Sequence, residues 1–380
     1  MTAPVFTTGN PAIDLVYILL NGISEVPLIS APIAGLLILI GTVVASRKAA
    51  ATMFVSSLIG AGMAILLGAP FGLVTFGLFG FNSVLTGMAL WSGPFTKSNR
   101  ATLALSLFGA AVTSVIWMAI AHFMGDLFLL QGNGWAIPGF TASFVFTTWA
   151  IMFATKRYGV DIWPRPAMPD RPVRLIEVHD TASGAGDLME GSENPVQVPV
   201  PEFRWTAKEF CIAVLKGVSQ VTFVENWVTG VFWVVGLTLS FELVANGGRL
   251  LTNAFTTNSD PASPLFLAGV MALIGSAIGV ALAIWAKYPV GEIRSGIHGF
   301  NQVLVMIALT SFLPLTWVTF GYAVLATIVC TLFTVPAIQN FMGRWGIPCL
   351  TAPFVFTAWF FILAAPYALN VPFGVGWGRP

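Results

Sequence analysis

Charge is the property that this sequence has least of. Only 9% of its 380 residues are Asp, Glu, Lys or Arg, whereas a soluble domain carries roughly 25%. Hydrophobic residues make up 56% of the chain, and the mean hydropathy is +0.84. The formal net charge of +1 argues against nucleic acid or another polyanion as a partner. We therefore expect an integral membrane protein, whose partner is the lipid bilayer.

Cysteine and histidine are also scarce, with three residues of each. Cys211, Cys330 and Cys349 have neither metal-binding nor Cys-x-x-Cys spacing, and we expect them to be buried apolar side chains. The sequence contains no His/Asp/Glu cluster, P-loop or Gly-rich nucleotide motif. It therefore predicts no metal, no cofactor and no enzymatic activity.

The few charges are concentrated in one stretch. Residues 156 to 209 hold 16 of the 33 charged side chains, together with many Pro and Gly residues. This composition is typical of a solvated linker. We expect a first transmembrane repeat at residues 1–155, a polar linker at 156–207 and a second transmembrane repeat at 208–380.

Apolar segments fill the remainder of the chain, and strand-like alternation is absent. Some of them reach the length of about 20 residues that a membrane crossing requires, whereas others are too short. The segments of the first part run over about 11–24, 31–46, 51–67, 79–93, 103–130 and 138–155. Those of the second part run over about 208–219, 227–245, 264–286, 297–311, 313–340 and 348–370.

One sequence unit occurs twice. Gly80-Phe81-Asn82-Ser83-Val84-Leu85 recurs as Gly299-Phe300-Asn301-Gln302-Val303-Leu304, and the stretch from Ile137 to Trp149 recurs from Ile347 to Trp359. Gly22-Ile23-Ser24-Glu25-Val26 matches Gly217-Val218-Ser219-Gln220-Val221, with Gly35 and Gly41 matching Gly230 and Gly236. Tandem duplication in a membrane protein often places a solute path at the interface of the two units, and short interrupted segments indicate where it lies.

An odd number of spans in each unit would invert the second unit relative to the first. We therefore expect an all-α membrane protein with two inverted repeats of five transmembrane helices each, plus short tilted half-spanning helices. The basic pairs Arg47-Lys48 and Lys156-Arg157, with Lys97 and Arg100 between them, suggest cytoplasmic loops. The orientation remains open, because it depends on which short segments cross the membrane.

The repeated motifs resemble those of the urea transporter family over roughly residues 11–155 and 208–370. The resemblance rests on the two Gly-Phe-Asn-x-x-Leu motifs, the two Pro-x-x-Thr-x-x-Phe motifs that end in Trp, and Gln220-Val221-x-Phe223-x-x-Asn226. It implies a homotrimer with one pore in each subunit, cytoplasmic termini and an external linker. It also implies passive passage of urea across a plasma membrane or a bacterial inner membrane.

The resemblance further implies which residues form the pore. The apolar walls would be Phe81, Leu85, Val221, Phe223, Phe300 and Leu304. The polar positions would be Glu25, Gln220, Thr141 and Thr351, with Asn82 and Asn301 as structural residues nearby. Hydroxyl and amide oxygens suit urea because they can replace the water that a neutral amide loses on leaving solution.

Less specific roles remain open for these residues. Phe81 and Phe300 can be packing or lipid-facing side chains, and Asn82 and Asn301 can brace broken helices instead of touching solute. Thr141 and Thr351 each follow a proline by three residues, which predicts the first turn of a helix and allows a capping role. We expect His122 and His298 in packing or loop roles, and Gly22, Gly35, Gly41, Gly230 and Gly236 in close helix packing.

The first unit departs from the family pattern. Glu25 stands where Gln is expected, Leu28 where Phe is expected and Ala31 where Asn is expected, while the second unit has Trp227 in place of Pro. A missing aromatic wall and a carboxylate leave open longer amides or water, or a cation such as ammonium or guanidinium. Glu25 can alternatively be a helix-end residue in water or a salt-bridge partner. A structural or sensory membrane protein is the alternative from a different functional class. Such a protein would need no paired polar groups inside both repeats.

Overall fold

The computed structural model describes residues 8–129, 138–160, 204–245, 267–313 and 316–369. Within these ranges all regular structure is helical, and no residue pairs in a β-sheet. The described part of the chain is therefore all-helical. Most of the expected linker, residues 161–203, lies outside the described residues.

Helices α1 to α7 belong to the first unit. They are α1 Pro11–Ser24, α2 Pro32–Ala45, α3 Arg47–Leu66, α4 Phe71–Thr75, α5 Phe81–Gly87, α6 Arg100–Leu129 and α7 Ala142–Tyr158. A π-helical turn, Met88–Ser92, extends α5. Except for α4, each helix coincides with a predicted apolar segment.

The second unit repeats this order. Its helices are α8 Ala207–Ser219, α9 Trp227–Ala245, α10 Leu267–Trp285, α11 Val290–Ser295, α12 Phe300–Phe312, α13 Trp317–Val329, α14 Val335–Gly343 and α15 Ala352–Ala368. A 3₁₀ turn, Gln220–Thr222, follows α8, and a π-helical turn, Cys330–Thr334, joins α13 to α14. The sequence did not predict α4 and α11, which are single short helical stretches that begin after Pro70 and Pro289.

Four helical stretches in the described residues are long and apolar enough to cross a membrane. They are Arg47–Leu66, Arg100–Met124, Leu267–Trp285 and Trp317–Gly343. A fifth candidate is the pair Ala207–Thr222 and Trp227–Leu239, which is bent by 76°. Four shorter apolar helices accompany them: α1, α2, α12 and α15.

Local sequence explains where α8 begins. The Thr206 hydroxyl accepts a hydrogen bond from the Glu209 N–H, and the Glu209 carboxylate accepts one from the Thr206 N–H. This capping box satisfies two N–H groups that have no partner within the helix.

Glycines allow the helices of each unit to pack at very short distances. A Cβ atom on Gly35 would lie 2.0 Å from the Leu20 carbonyl oxygen, and one on Gly230 would lie 2.0 Å from the Leu215 carbonyl oxygen. These equivalent contacts hold α2 against α1 and α9 against α8. The expected role of both glycines in close helix packing is therefore correct. It is also correct for Gly22, Gly41 and Gly236, although a Cβ atom on Gly236 would still lie 3.2 Å from its nearest neighbour.

The two units pack against each other through α2 and α9, which run in opposite directions. A Cβ atom on Gly41 would lie 2.7 Å from the Cβ of Phe232, and one on Gly236 would lie 3.2 Å from the Cα of Ala34. The Thr229 hydroxyl donates a hydrogen bond of 2.7 Å to the Gly41 carbonyl. Two small residues on each helix thus permit a close crossing of the units.

The cysteines are only partly as expected. Cys330 and Cys349 are buried, whereas Cys211 is exposed on α8. The prediction for Cys211 was wrong because its helix has one exposed face, which composition alone does not reveal.

We predict that Gly35→Ala and Gly230→Ala lower the free energy of unfolding, each by about 1 to 3 kcal/mol, because the new methyl group would overlap a backbone oxygen. Thermal unfolding of the detergent-solubilised protein measures the loss. The matched control is Gly62→Ala on α3, where a Cβ meets nothing within 4 Å. Equal melting temperatures for Gly35→Ala, Gly230→Ala and the control would contradict the packing assigned to these glycines.

Candidate functional site: the junction of the broken helices

The candidate site lies where helices of both units end inside the protein. Between α1 and α2 the backbone turns at Leu28 with φ 65°, and between the 3₁₀ turn and α9 it turns at Phe223 with φ 59°. This left-handed conformation costs a residue other than glycine about 1 to 2 kcal/mol. Its recurrence at equivalent positions indicates that the surrounding packing requires it.

Each unit places a second left-handed residue directly before its last helix. Phe140 has φ 47° and precedes α7, while Leu350 has φ 52° and precedes α15. The amide of Asn82 donates a 3.0 Å hydrogen bond to the Phe140 carbonyl, and that of Asn301 donates a 3.2 Å bond to the Leu350 carbonyl. The two asparagines therefore brace these turns, as the alternative role from the sequence proposed.

The two asparagines differ at their oxygens. Asn301 Oδ1 accepts a 3.1 Å hydrogen bond from the Phe354 N–H at the start of α15. Asn82 Oδ1 is buried without a partner among the described residues. Asn301 is therefore the more completely bonded of the pair.

Thr141 and Thr351 are brought together from opposite units. Their hydroxyl oxygens lie 2.7 Å apart, and both side chains are fully buried. Each threonine is the N-cap of its helix, α7 or α15, but neither hydroxyl bonds to a helix N–H. The expectation of a first-turn position was one residue off, and the capping alternative is wrong because each hydroxyl is directed at the other unit.

Two tryptophans, one on α7 and one on α15, each donate a hydrogen bond to the backbone of the other unit. Trp149 Nε1 donates a 2.9 Å hydrogen bond to the Pro348 carbonyl, and Trp359 Nε1 donates a 3.0 Å bond to the Pro138 carbonyl. This exchange fixes the approach of α7 to α15 from both sides of the threonine pair. The Trp that ends both repeated motifs is the sequence signal for this role.

Aromatic rings surround Phe223 in the second unit. Its ring centroid lies 6.5 Å from that of Phe300, 5.9 Å from that of Phe144 and 5.1 Å from that of Phe95. Phe144 and Phe95 come from the first unit, so both units supply this cluster. Sequence reasoning missed both residues, although Phe144 recurs as Phe354 in the repeated motif.

The first unit has a different arrangement around Phe81. Leu28, which occupies the position equivalent to Phe223, is aliphatic and 5% exposed. The ring of Phe81 instead makes an edge contact with Trp117 on α6, at 5.3 Å between centroids. A Cβ atom on Gly139 would lie 2.6 Å from this indole, so Gly139 leaves the space in which Trp117 packs.

The polar pair Glu25 and Gln220 occupies equivalent positions with different partners. Gln220 Nε2 donates a 3.0 Å hydrogen bond to the Ser295 carbonyl. In the first unit the equivalent carbonyl, that of Phe76, accepts a 2.7 Å bond from the Ser30 hydroxyl. Glu25 is 1% exposed, and its Oε1 has no hydrogen-bond partner among the described residues. The alternatives of a water-exposed helix end or a salt-bridge partner do not fit this burial.

The start of the following helix explains another departure from the family pattern. Asn226 Oδ1 caps α9 by accepting hydrogen bonds from the N–H groups of Val228 and Thr229. In the first unit Ala31 makes no side-chain cap, and α2 begins with Pro32, which has no N–H to satisfy. The N–H groups at the starts of α2 and α9 are thus treated differently: a side-chain cap bonds to them in the second unit, whereas a proline removes one of them in the first.

The remaining candidate wall residues are all buried. Phe81, Phe300, Leu85, Val221 and Leu304 are each at most 5% exposed, so the lipid-facing alternative for the two phenylalanines is wrong. His298 lies 3.2 Å from the Glu292 carboxylate and packs on the Tyr288 ring, while His122 is exposed on α6.

Comparison with known proteins gives consistent similarities. The sequence model of the family described as "Urea transporter" matches residues 2–156, 130–248 and 262–366. The chain is 26% identical to urea transporter 1 of Capra hircus over 377 residues, which covers 95% of this chain and 79% of the relative. It is 25% identical to urea transporter 1 of Rattus norvegicus over 360 residues, which covers 93% of this chain and 78% of the relative.

We predict that Asn301→Ala destabilises the protein more than Asn82→Ala does. Both substitutions remove a donor to a buried carbonyl, but only Asn301→Ala also leaves the Phe354 N–H without its acceptor. An unsatisfied buried group costs about 1 to 3 kcal/mol, so the difference in unfolding free energy between the two variants has that size. Thermal unfolding in detergent provides the measurement. A larger loss for Asn82→Ala would refute the assignment of the two amide orientations.

Proposed function

The chain belongs to the urea transporter family, and from this premise we propose that it is a passive channel for urea or a closely related small neutral amide. The observation that carries this proposal is the buried contact between the Thr141 and Thr351 hydroxyls. Polar groups of both units meet there, at the ends of broken helices and beside aromatic side chains. Family members are transporters rather than enzymes, and we propose no catalysis.

We propose that the fold consists of two inverted repeats of five spans each, with domain limits at 1–155, 156–207 and 208–380. The antiparallel crossing of α2 and α9 supports an inverted relation, as do the exchanged bonds of Trp149 and Trp359. The bent pair of α8 and α9 and the short helices α5 and α12 supply the incomplete spans. Inverted repeats commonly place a solute site at their interface, near the bilayer midplane.

The chemistry of urea accounts for the polar residues. Removing an amide from water without new hydrogen bonds costs on the order of 2 to 7 kcal/mol. The threonine contact uses one hydroxyl hydrogen and one lone pair, so the other hydrogen and the remaining lone pairs can bond to a passing solute. Urea therefore passes by separating two hydroxyls that otherwise satisfy each other. Gln220 and Glu25 would offer further hydrogen-bonding oxygens, one in each unit.

The apolar walls account for selectivity. Phe223 and Phe300 with Val221 and Leu304 would flank the path in the second unit, and Phe81 and Leu85 would flank it in the first. Such surfaces accept a flat neutral molecule, whereas none of these wall residues offers a countercharge that would offset the desolvation of an ion. The first unit contributes one aromatic wall residue fewer than the second unit does. This difference favours a wider pore mouth on the side of the first unit.

We further propose a homotrimer with one pore in each subunit, in a plasma membrane or a bacterial inner membrane. Exposed apolar side chains on the outer helices, such as Phe108, Trp285 and Phe360, are compatible with either lipid or a neighbouring subunit. Cross-linking in native membranes would establish the number of subunits.

We predict that proteoliposomes containing the protein take up labelled urea faster than empty liposomes, and that Thr141→Val and Thr351→Val each slow this flux about tenfold. The change keeps the shape of the side chain and removes about 1.4 kcal/mol of transition-state stabilisation. The matched control is Thr147→Val on α7, whose hydroxyl bonds within the helix to the Ser143 carbonyl. Wild-type flux no greater than that of empty liposomes would overturn the proposed function. Full flux in both valine variants would remove only the threonine pair from the path.

We also predict that Glu25→Gln alters the pH dependence or solute selectivity of urea flux more than its size. The substitution keeps the shape and removes the titratable group. Helices α2, α4 and α5 carry no charged or histidine residue, and the only acidic residue of α1 itself is Asp14. Flux of urea, methylurea and guanidinium from pH 5 to 9 provides the measurement, with Gln220→Glu as the reciprocal variant. Identical pH profiles and selectivity for wild type and Glu25→Gln would exclude Glu25 from the pathway.

A further inference from the structure

Basic side chains collect at one end of the molecule. The α2–α3 turn carries Arg47 and Lys48, and the Lys48 ammonium lies 5.0 Å from the Trp91 ring and contacts the Ser98 hydroxyl. The segment that leads into α6 is therefore beside the start of α3. We call this end the basic end and define it by residues 46–48, 91–100, 156–160 and 343–347.

Contacts between aromatic and apolar side chains unite these segments. Phe95 packs with Leu90, Met152, Met342 and Ile347 in one cluster, which joins the end of α7 to the α14–α15 turn. In that turn Trp345 lies 6.2 Å from Phe153 by ring centroids, and Gly346 is close to the Lys156 ammonium. The end of α10 lies at the same end, because α10 runs antiparallel to α12, with Gly279 against His298 and Gly275 against Met306. Helix α12 leads to the start of the stretch Trp317–Gly343, which finishes at the basic end.

Every Lys and Arg in the described part of the chain lies at this end or next to it. The neighbouring ones lie on or just before α8, in the α10–α11 turn and on α11. Those of the first unit are Arg47, Lys48, Lys97, Arg100, Lys156 and Arg157. Those of the second unit are Arg204, Lys208, Lys216, Lys287, Arg294 and Arg344. The other Lys and Arg residues of the sequence lie outside the described ranges.

The four long apolar stretches give this distribution a direction. Arg47–Leu66 and Arg100–Met124 begin at the basic end, whereas Leu267–Trp285 and Trp317–Gly343 finish there, next to Lys287 and Arg344. A helix of 20 residues is about 30 Å long, so their other termini lie across the bilayer. At those termini the structure describes residues 67–70, 313 and 316. None of these residues is charged.

The repeated fold supplies an internal control for this asymmetry. Lys287 and Gly68 occupy the same turn of the two units, with φ 58° and 79°. Glycine adopts this conformation without steric cost, whereas lysine does not. Lysine occupies this left-handed position only in the second unit, where the turn lies at the basic end. In the same way Lys156 and Arg157 at the end of α7 correspond to Pro366 and Tyr367 on α15.

In the described residues, Lys and Arg therefore follow the end of the molecule and not the position in the repeat. Short loops rich in Lys and Arg stay in the cytoplasm, whereas acidic residues such as Glu209, Glu225 and Glu292 have little influence on orientation. Anionic lipids of the cytoplasmic leaflet attract such cations further. We propose that the basic end faces the cytoplasm, so that the linker is cytoplasmic and α1 begins on the external side.

This orientation is opposite to the one that the family resemblance implies. If the proposed pore is correct, on which this part of the inference rests, the Gln220 and Phe223 mouth opens to the cytoplasm. The mouth with Glu25 and Leu28 then opens to the exterior. The two mouths differ at this equivalent position, with the carboxyl group of Glu25 at the external mouth and the amide of Gln220 at the cytoplasmic one.

Residues 67 and 286 provide a matched test, because they are equivalent positions of the two repeats at opposite ends. Leu67 is 52% exposed, and Ala286 is exposed beside Lys287. Leu67→Cys and Ala286→Cys are each made in a Cys211→Ser background, which retains the buried Cys330 and Cys349. Cells with an accessible inner membrane are treated with a membrane-impermeant sulfonated maleimide, before and after permeabilisation. Tyr158→Cys at the basic end and Trp317→Cys at the other end form a second pair.

We expect Leu67→Cys and Trp317→Cys to be labelled in intact cells. Ala286→Cys and Tyr158→Cys should be labelled at least tenfold more after permeabilisation than before. Labelling of Ala286→Cys and Tyr158→Cys in intact cells overturns the proposal, whether or not the other pair is also labelled. Urea flux of the same variants is measured separately, so a failure of the transport proposal is distinguishable from a failure of the orientation.

Discussion

The structure depends on one constraint, which is that helices interrupted inside a membrane expose backbone groups that need hydrogen-bond partners. No water is available in the hydrocarbon region to supply them. Here the partners are side chains placed at the breaks. Asn82 and Asn301 bond to the carbonyls of Phe140 and Leu350, and Trp149 and Trp359 bond to the proline carbonyls that precede the opposite helix. These bonds allow α7 and α15 to begin inside the protein with Thr141 and Thr351 in contact.

Symmetry of the backbone coexists with asymmetry of the side chains. Left-handed residues recur at equivalent turns, and glycines recur at equivalent helix crossings. The first unit nevertheless uses Ser30 where the second uses Gln220, and it packs Phe81 on Trp117 where the second packs Phe300 near Phe223. Duplication conserves what the fold needs, because a change in the backbone would disturb both units. The side chains at equivalent turns can differ, because each of them affects only its local contacts.

The carboxyl group of Glu25 illustrates this contrast between a shared backbone and different side chains. In the second unit the amide of Gln220 is engaged with the Ser295 carbonyl, whereas in the first unit Ser30 has taken the equivalent carbonyl. Glu25 thus has a buried oxygen that no described group satisfies. A buried ionisable group without a structural partner is expensive in a membrane and is a functional candidate for that reason. In the first unit, therefore, Ser30 and not residue 25 bonds to the carbonyl that Gln220 engages in the second unit.

The sequence by itself determined the membrane class, the duplication, the limits of most helices and the residues that the repeated motifs share. These features follow from composition, apolar length and repetition, which are properties of the chain alone. Tertiary structure decided the rest. Only packing shows that the Thr141 and Thr351 hydroxyls bond to each other instead of capping their helices, or that Phe95 and Phe144 join Phe223. These contacts join residues far apart in sequence, and no local pattern encodes which partner a side chain meets when two units pack against each other.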